Sequence, residues 1–565
     1  MPGRQEVPFT GDMGYSDNAA PDALAGYMGP GSEGLYPEGP GLLVPFNAPS
    51  DTGDPGASQA TVIGNVPGGI DGSGSTFRER GAAADDDDDM VFYIGDGTVY
   101  YGTNAAFGSA TSAAWVKSIT GSSSFALGLP VPTMGTVTTT AGSLSRMDGS
   151  QTFKLTYRRT ITNGESSPSV ASNIVVCNDS SASGACVVPI PARPSGTSIR
   201  YCRIYKCISN FSTLGPWFMV ADWDYNVTPG GGNYTVDIYD GELLGITPPI
   251  GVEAPPAGTH GFRLGGYLCI AGCYGGFGII ASYLNNMDAY NPDSVTFLNP
   301  SAEITACVGR ANDGFQYVAC RDSLHACILT GAPDTPILSR VLWGQDGFLG
   351  PNQMCYVESE LWGMSSTRGP VRTTAGAVPD RSFAQPVIRT LETMGSSAVV
   401  GYDPASNQVV YAGMDIAIAY MRGLGGDRWS APVPMPGDVQ SKVTFGGKLY
   451  FVIDGTLWEW NGGSPVVATF MPFYHTIDGH EMTVTDMQVR AKVDGSATLE
   501  VLEGMAAAST TYGATALSMD GSTRHSEWVK MNIPRVRSYT PKIVLTGGGE
   551  IYGVTASELV HPARA

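Results

Sequence analysis

A short aromatic hairpin that recurs along the chain constrains its fold more than any other feature of the sequence. The clearest copy reads Lys448-Leu-Tyr-Phe-Val-Ile-Asp-Gly-Thr-Leu-Trp-Glu-Trp-Asn461, two apolar runs joined by Asp454-Gly455. Both central residues of a type I′ turn need a positive φ, which Asp and Gly tolerate, so this pair predicts a tight β-hairpin.

Five further segments resemble this hairpin. They are residues 91–102, 262–282, 314–330, 354–364 and 407–420. From residue 262 onward the copies begin 40 to 53 residues apart, which is close to the ~40–50 residues of one propeller blade. The recurrence therefore predicts a β-propeller of about six blades, and we expect the copy at residue 91 to close the ring against the last blade.

The composition favours an all-β protein. The chain has 74 Gly and 39 Pro among 565 residues, and no segment shows sustained helical periodicity. Charged residues make up only 15%, below the roughly 25% of ordinary soluble domains. We therefore expect a largely uncharged polar surface, which suits a protein partly buried in an assembly.

The charge balance argues against sequence-specific DNA binding. The net charge is −20 and the isoelectric point is about 4.6. A protein that clamps nucleic acid needs a Lys/Arg surface to displace counterions. An acidic surface instead repels phosphates, which suits a passage through which DNA slides. We also expect no secretion signal and no membrane-spanning segment, because no apolar run reaches the ~18 residues that a span needs.

Residues 1–89 are predicted to form an extended N-terminal arm, because Gly and Pro make up about a third of the first 80 residues. Isolated apolar residues in this arm are the candidate interface, predicted to fit a groove on a partner: Phe9, Tyr36, Leu42, Leu43, Val44 and Phe46. The five consecutive aspartates at residues 85–89 are interpreted as a solvated linker in preference to a calcium site.

The rest of the chain divides into four predicted parts. Residues 90–128 form the first propeller strands, and residues 129–250 form a fibronectin-III-like β-sandwich inserted in the first blade. Residues 251–474 carry the remaining blades. Residues 475–565 form a C-terminal β module, for which a second sandwich and a sheet laid on the propeller both remain open.

We predict no catalytic residue, metal site or cofactor. His475 and His480 lack the helical spacing of zinc proteases, and Asp478-Gly479 between them indicates a turn. The ten cysteines are interpreted as buried thiols, and Cys177 with Cys186 is the one pair that merits a test for a disulfide. Propeller glycosidases need paired acidic groups and an Arg cluster, and nothing in the sequence favours such a site.

The order of these parts resembles one family, the tail nozzle or tail hub proteins of short-tailed bacteriophages, which include packaged-DNA stabilisation proteins. The resemblance covers most of the chain and includes the arm, the hairpin at residues 91–102, the blades at residues 314–330 and 402–460, and the module from Thr483. The inserted segment, with Asn163-Gly-Glu-Ser-Ser-Pro168, resembles a sandwich seen in many phage virion proteins.

The resemblance implies a structural virion protein that is not an enzyme. It implies a ring, expected to be a homohexamer, below portal and adaptor proteins and in contact with tail fibre, spike or plug proteins. Such a head-to-tail connector is assembled in the host cytoplasm, retains packaged DNA and allows its ejection. The alternative from another class is a receptor- or glycan-binding propeller on the virion surface, and the third is a glycosidase.

Overall fold

A computed structural model of the chain describes 23 segments. They are residues 3–9, 28, 32–39, 42–55, 75–79, 90–95, 98–103, 124–160, 164–178, 183–195, 197–209, 215–298, 302–309, 314–332, 334–374, 379–423, 428–445, 448–454, 456–472, 475–477, 480–503, 511–519 and 525–561. The chain divides into two compact units. The first unit combines Met1–Val62 with Trp343–Ala565, and the second unit is Ile63–Leu342.

The N-terminal segment and the first blade account for the first eight strands. In the first unit these are β1 (Gly3–Phe9), β2 (Leu35–Gly39), β3 (Leu42–Pro45) and β4 (Ser50–Pro55). In the second unit they are β5 (Ser75–Glu79), β6 (Met90–Gly95), β7 (Thr98–Thr103) and β8 (Ser124–Ala126). Strands β5 to β8 form one antiparallel four-stranded sheet in sequence order, with the predicted hairpin as β6 and β7.

The inserted sandwich follows in the second unit. Its strands are β9 (Thr138–Thr140), β10 (Gly149–Gln151), β11 (Phe153–Arg158), β12 (Val175–Cys177), β13 (Ala185–Ile190), β14 (Tyr201–Cys207), β15 (Trp217–Asp224) and β16 (Gly232–Val236). They form the sheets β11-β14-β15, β16-β13-β9 and β10-β12 around a core of their own. A 3₁₀ turn at Asp240–Glu242 follows the last strand.

A serine repeat accounts for the backbone pairing of the segment that follows Gly164. Three serines, spaced three residues apart, lie beside β11. Each serine makes two hydrogen bonds with a single residue of that strand. The backbone N–H of each serine donates to a strand carbonyl, and its hydroxyl accepts from the N–H of the same strand residue. The pairs are Ser166 with Tyr157, Ser169 with Leu155, and Ser172 with Phe153, at 2.8–3.0 Å. Backbone groups of β11 are thereby satisfied without a regular neighbouring strand.

Two further blades complete the second unit. The strands of one are β17 (His260–Leu264), β18 (Tyr267–Cys273), β19 (Gly278–Tyr283) and β20 (Asn286–Phe297). Those of the other are β21 (Ile304–Val308), β22 (Phe315–Cys320), β23 (Ser323–Leu329) and β24 (Ile337–Gly344). In both sheets the strands lie side by side in the same order as in the sequence. Gly275 and Gly276, at φ +79° and +95°, form the β18–β19 turn, where such angles favour glycine.

The first unit carries three more blades. Their strands are β25 (Met354–Val357), β26 (Glu360–Ser365), β27 (Gly369–Thr374), β28 (Val399–Asp403), β29 (Gln408–Gly413), β30 (Ile416–Met421), β31 (Val433–Pro434), β32 (Val439–Phe445), β33 (Lys448–Ile453) and β34 (Thr456–Glu459). A 3₁₀ turn at Pro351–Gln353 precedes β25, and a 3₁₀ segment (Ser382–Val387) leads into helix α1 (Ile388–Met394). In the hairpin β33–β34, Asp454 adopts φ +48°, as the turn prediction requires.

The last strands form a two-sheet C-terminal module. They are β35 (Ala468–Phe470), β36 (His475–Thr476), β37 (Glu481–Val493), β38 (Ser496–Leu502), β39 (Thr511–Leu517), β40 (His525–Lys530), β41 (Ser538–Thr546) and β42 (Gly549–His561). One sheet has the order β35-β41-β38-β39, and the other has the order β2-β3-β42-β37-β40 with β1 also on β42. The buried faces of these strands contribute to one large core.

The first strands of successive blades lie side by side within each unit. In the second unit β17 is adjacent to β5 and β21, and in the first unit β28 is adjacent to β25 and β32. Sequential antiparallel meanders with adjoining first strands are the blades of a propeller. The chain is therefore an all-β protein of the β-propeller type, with an inserted sandwich and a C-terminal β module. Six blade sheets lie among the described residues, which agrees with the six hairpins.

Two predictions about the arrangement of these parts are wrong. The sandwich does not interrupt the first blade, because β5 lies inside the predicted arm and completes that sheet before residue 129. The arm is not an independent extended segment either. Strand β4 completes the sheet of β32, β33 and β34, while β1 pairs with β42 over Gly3–Phe9. The aspartates at residues 85–89 lie outside the described residues.

Candidate functional site

A polar cavity of about 240 Å³ in the first unit is the candidate site. It lies between the β25–β27 sheet and the β28–β31 sheet, where residues near the strand ends converge. Its lining residues are Glu358, Glu360, Trp362, Arg372, Asn407, Tyr420, Arg422 and Gly423. Two hairpins, β25–β26 and β28–β29, together with strands β27 and β30 and the chain just after β30, therefore build the cavity.

Three of the lining residues adopt left-handed backbone conformations. Glu358 has φ +54°, Asn407 has φ +54° and Gly423 has φ +86°. Asn and Gly tolerate this region, but for Glu it costs about 1–2 kcal/mol. Strain of this kind is often retained where it directs a functional side chain. In the β25–β26 hairpin the strained residue is Glu358, whose carboxylate pairs with the guanidinium of Arg422 on the other side of the cavity.

Arg422 connects the two hairpins electrostatically. Its Nη2 lies 2.9 Å from Oε2 of Glu358 and 3.8 Å from Oε2 of Glu360. Its Nη1 donates to Oδ1 of Asn407 at 3.3 Å, and the guanidinium lies 5.8 Å from the ring centroid of Tyr402. Burial lowers the pKa of Arg422, but the hydrogen bond to Glu358 and the charges of both glutamates outweigh burial and raise the pKa above its ordinary value.

Arg372 forms the inner wall of the cavity. Its guanidinium lies 5.2 Å from the ring centroid of Trp362 and 5.1 Å from that of Phe383, a cation–π arrangement. Nη2 pairs with Oδ2 of Asp380 at 2.6 Å, and Nη1 donates to the hydroxyl of Tyr420 at 3.3 Å. Burial raises the pKa of Asp380, but hydrogen bonds from Ser382 and Arg372 lower it by more than burial raises it. The pKa of Asp380 therefore lies below its ordinary value.

The chemistry available in this cavity is hydrogen bonding by paired charges. Glu358 and Glu360 share Arg422, while Arg372 is held by Asp380. The side chain of Glu358 is 68% exposed at the mouth, whereas Trp362 is buried under Arg372. A ligand would therefore exchange hydrogen bonds with carboxylate, guanidinium and amide groups, as a hydroxyl-rich molecule can.

The predicted interface residues of the arm lie against the chain's own C-terminal module and last blade. Phe9, Leu43 and Phe46 are fully buried there. Phe9 packs edge-on against His475 and Tyr539, with ring centroids 6.4 and 6.3 Å apart.

The remaining arm residues follow the same pattern. Phe46 packs between Tyr36 and Trp460, with centroids 4.7 and 5.4 Å apart. Leu42 and Val44 on β3 are half-buried, on either side of Leu43, which pairs with Ile551 of β42. The prediction that this arm is laid in a partner's groove is thus corrected: the groove belongs to the same chain, because β42 and β34 offer edges that the N-terminal strands complete.

A buried carboxylate that no sequence motif indicates holds the N-terminal strand in place. Glu558 on β42 is fully buried. Its Oε1 accepts from Nε2 of Gln5 at 2.6 Å and lies 3.2 Å from Nε2 of His475, while its Oε2 accepts from the hydroxyl of Tyr539 at 2.9 Å. Because a buried carboxylate needs such partners, β1 and the C-terminal module are mutually dependent.

The remaining sequence motifs have structural roles in the described residues. His480 pairs through Nδ1 with the carbonyl of His561 at 2.8 Å. Among the described residues no three His, Cys, Asp or Glu side chains are grouped as metal ligands would be. In that same part of the chain, no helix is both long and apolar enough to cross a membrane.

No protein-family model matches the chain, and no curated protein matches it. Several solved structures resemble it at low identity. BamB from Moraxella catarrhalis is 10% identical, with 58% of this chain and 98% of that chain covered and a TM-score of 0.22. An exo-β-1,3-galactanase from Phanerochaete chrysosporium is 9% identical, with 67% and 93% covered and a TM-score of 0.17. A family 43 arabinoxylan arabinofuranohydrolase from Bacillus subtilis is 10% identical, with 66% and 92% covered and a TM-score of 0.16. Similarities at this level carry no conclusion about activity.

The sequence did not single out the cavity. Residues 354–364 and 407–420 were predicted to form hairpins. The sequence did not indicate that Glu358, in the β25–β26 turn, and Asn407, in the β28–β29 turn, line the same cavity. A usable signal was present, since charged residues stand at turn positions of a chain with few charges. Their pairing with Arg422 depends on which blades are neighbours, which the local sequence does not specify.

Proposed function

We propose that the protein is a structural component of a short bacteriophage tail, a ring-forming nozzle or hub through which packaged DNA is retained and then released. The proposal starts from the order of parts in the sequence. The observation that supports it best is the way the N-terminal segment is built into the rest of the first unit. Seven consecutive residues of β1 pair with β42, and β4 completes the last blade.

This strand pairing suits a structural protein that has to withstand mechanical force. Antiparallel pairing of Gly3–Phe9 with Val554–Val560 joins the two ends of the chain, and Gln5 and Phe9 add side-chain anchors around Glu558. The last blade and the C-terminal module are thereby joined by one N-terminal segment, so neither can separate without breaking strand pairs. A conduit that holds DNA under pressure needs a scaffold of this kind.

Charge supports the same proposal. A net charge of −20 gives no basis for clamping DNA, and an acidic wall lets DNA slide because it offers phosphates no stable contact. In this mechanism the ring acts by its geometry and by binding neighbouring tail proteins, and no catalytic step is needed. The expected oligomer is a hexamer of this chain below portal and adaptor proteins.

The test is direct imaging of the full-length protein. We expect ring-shaped particles by electron microscopy and a matching mass by light scattering, either alone or after mixing with purified portal and adaptor proteins of a short-tailed phage. At low salt, double-stranded DNA should bind this protein no more tightly than it binds an acidic control protein. A protein that remains monomeric at micromolar concentration and binds neither neighbour would refute the proposal.

The cavity around Arg422 favours a second candidate, recognition of a glycan or another hydroxyl-rich receptor. Its exposed carboxylate, its amide and its guanidinium offer both donors and acceptors at one mouth. A glycan array probed with the full-length protein should then give a specific signal that Arg422→Ala reduces at least about tenfold. The matched control is Lys448→Ala, which removes an exposed Lys–Glu pair in the next blade and should leave the signal unchanged.

The same array distinguishes binding from turnover. Release of sugar fragments that is abolished by Glu358→Gln or Glu360→Gln would indicate a glycosidase. An array with no signal above background, for the wild-type chain and for Lys448→Ala alike, would eliminate this second candidate.

A further inference from the structure

Two buried thiols in the sandwich face one another. The Sγ atoms of Cys177 and Cys186 are 3.1 Å apart, and both residues are at most 2% exposed. Cys177 ends β12, and Cys186 is the second residue of β13. These strands belong to different sheets, β10-β12 and β16-β13-β9.

We propose that Cys177 and Cys186 form a disulfide bond when the protein meets an oxidising environment. A disulfide requires sulfur atoms about 2.05 Å apart, so the two atoms need to approach by only about 1 Å. They already point at each other from neighbouring strand ends, since the structure places them in mutual hydrogen-bonding contact.

The reaction is thiol–disulfide exchange with a small-molecule disulfide such as oxidised glutathione. The thiolate of one cysteine attacks a sulfur of the reagent, and a mixed disulfide forms as the first small thiol leaves. The second cysteine then attacks the protein sulfur of the mixed disulfide, and the second small thiol leaves. The two protons of the protein thiols end on the two released thiols, so atoms and electrons balance.

Cys177 is the favoured attacking residue. A hydrogen bond from the thiol of Cys186 lowers the pKa of Cys177 below its ordinary value, and the charge of Lys206 acts in the same direction, while burial opposes both. Among the described residues β12 pairs with β10 alone, over Gly149–Gln151. A three-residue strand with one neighbour opens more easily than the centre of a sheet, which gives the reagent access.

The bond would fasten β12 to the opposite sheet. It would close a loop between residues 177 and 186, and cross-linking a loop of this length restrains the open state. Backbone amides of β10 and β12 should therefore exchange with solvent on the order of 100-fold more slowly in the oxidised protein. A role for this bond in strengthening a virion after release from a reducing cell rests on the proposed function, whereas formation of the bond does not.

The test uses the folded full-length chain, incubated with oxidised and then with reduced glutathione. Free thiols are alkylated before and after unfolding, and the peptides are mapped by mass spectrometry. We expect oxidation to remove two alkylatable thiols, to yield a peptide pair cross-linked between Cys177 and Cys186, and to be reversed by reduction.

Two variants provide controls. Cys186→Ser should abolish the cross-link and leave Cys177 as a mixed disulfide with glutathione, which reduction returns to an alkylatable thiol, whereas Cys307→Ser removes a partly exposed thiol elsewhere and should leave the cross-link intact. Mapping of the wild-type chain decides the matter even where a variant folds poorly. The proposal is overturned if the folded wild-type protein keeps both thiols after oxidation, or if the cross-link joins other cysteines.

Discussion

Breaking the ion pair between Arg159 and Asp288 should destabilise the sandwich more than any surface change. Arg159 follows β11, and Asp288 lies on β20 of the adjacent blade. Their Nη1 and Oδ1 atoms are 2.5 Å apart, and the two side chains are 1% and 0% exposed. Asp288 also accepts from the backbone N–H of Gly128 at 2.8 Å. This ion pair therefore connects the sandwich to the adjacent blade at a site that excludes water.

The magnitude follows from this burial. Arg159→Met removes the cation and leaves a buried carboxylate, a change that costs about 3–5 kcal/mol. Because the hydrogen bond from Gly128 remains, we place the cost near the lower end, about 3 kcal/mol. Replacing both partners, as in Arg159→Met with Asp288→Leu, removes the uncompensated charge. The double variant should then regain most of the lost stability, since apolar replacements of buried pairs are often close to neutral.

Hydrogen exchange of the full-length protein measures this effect. A loss of about 3 kcal/mol should speed exchange of the β14 amides about 100-fold in the single variant, and by much less in the double variant. The matched control is Arg146→Met, which breaks an exposed pair with Glu242 in the same sandwich and should change exchange less than about fivefold. Equal effects of Arg159→Met and Arg146→Met, or a double variant no more stable than the single one, would refute the reasoning.

Three further predictions test other parts of the chain. Phe9→Ala should cost about 3–5 kcal/mol, because it empties a buried site beside Tyr539, and limited proteolysis should then cut the N-terminal segment first; unchanged protection would contradict the packing. Burial lowers the pKa of His260 to about 4 in the folded protein. As the pH falls, His260 is therefore protonated in the unfolded chain before it is protonated in the folded one. Stability should therefore fall by about 3 kcal/mol between pH 6.5 and 4 through this group, and denaturation of His260→Leu should show a flatter pH profile over that range. Gly164→Ala should destabilise the sandwich, because its Cβ would lie 2.0 Å from Oδ2 of Asp288, while Gly230→Ala, with nothing within 4 Å, should be nearly neutral in the same melting assay.

The hairpins show how far local sequence reaches. A turn such as Asp454-Gly455 sets the direction of the chain through the φ angles that its residues tolerate, and the flanking apolar runs then pair with one another. Every hairpin predicted from this pattern is an antiparallel pair in the structure.

The arm shows where local reasoning fails. Residues rich in Gly and Pro with isolated apolar side chains have no pattern that distinguishes a groove on a partner from a groove on the same chain. Phe9 and Leu43 are buried, and their strands pair with β42, more than 500 residues later in the chain. Whether the edge of β42 is available depends on the sheet order, and that order is a property of the folded module.

The sequence by itself determined the building unit of this protein, since short turns and alternating strands specify hairpins through interactions between near neighbours. It also determined the acidic balance and the all-β composition. Only the tertiary structure decided which strands complete which sheets and which charges meet. Gln5 reaches Glu558, Arg159 reaches Asp288 and Arg422 reaches Glu358 because folding brings distant segments together, and such pairings depend on topology rather than on any local preference.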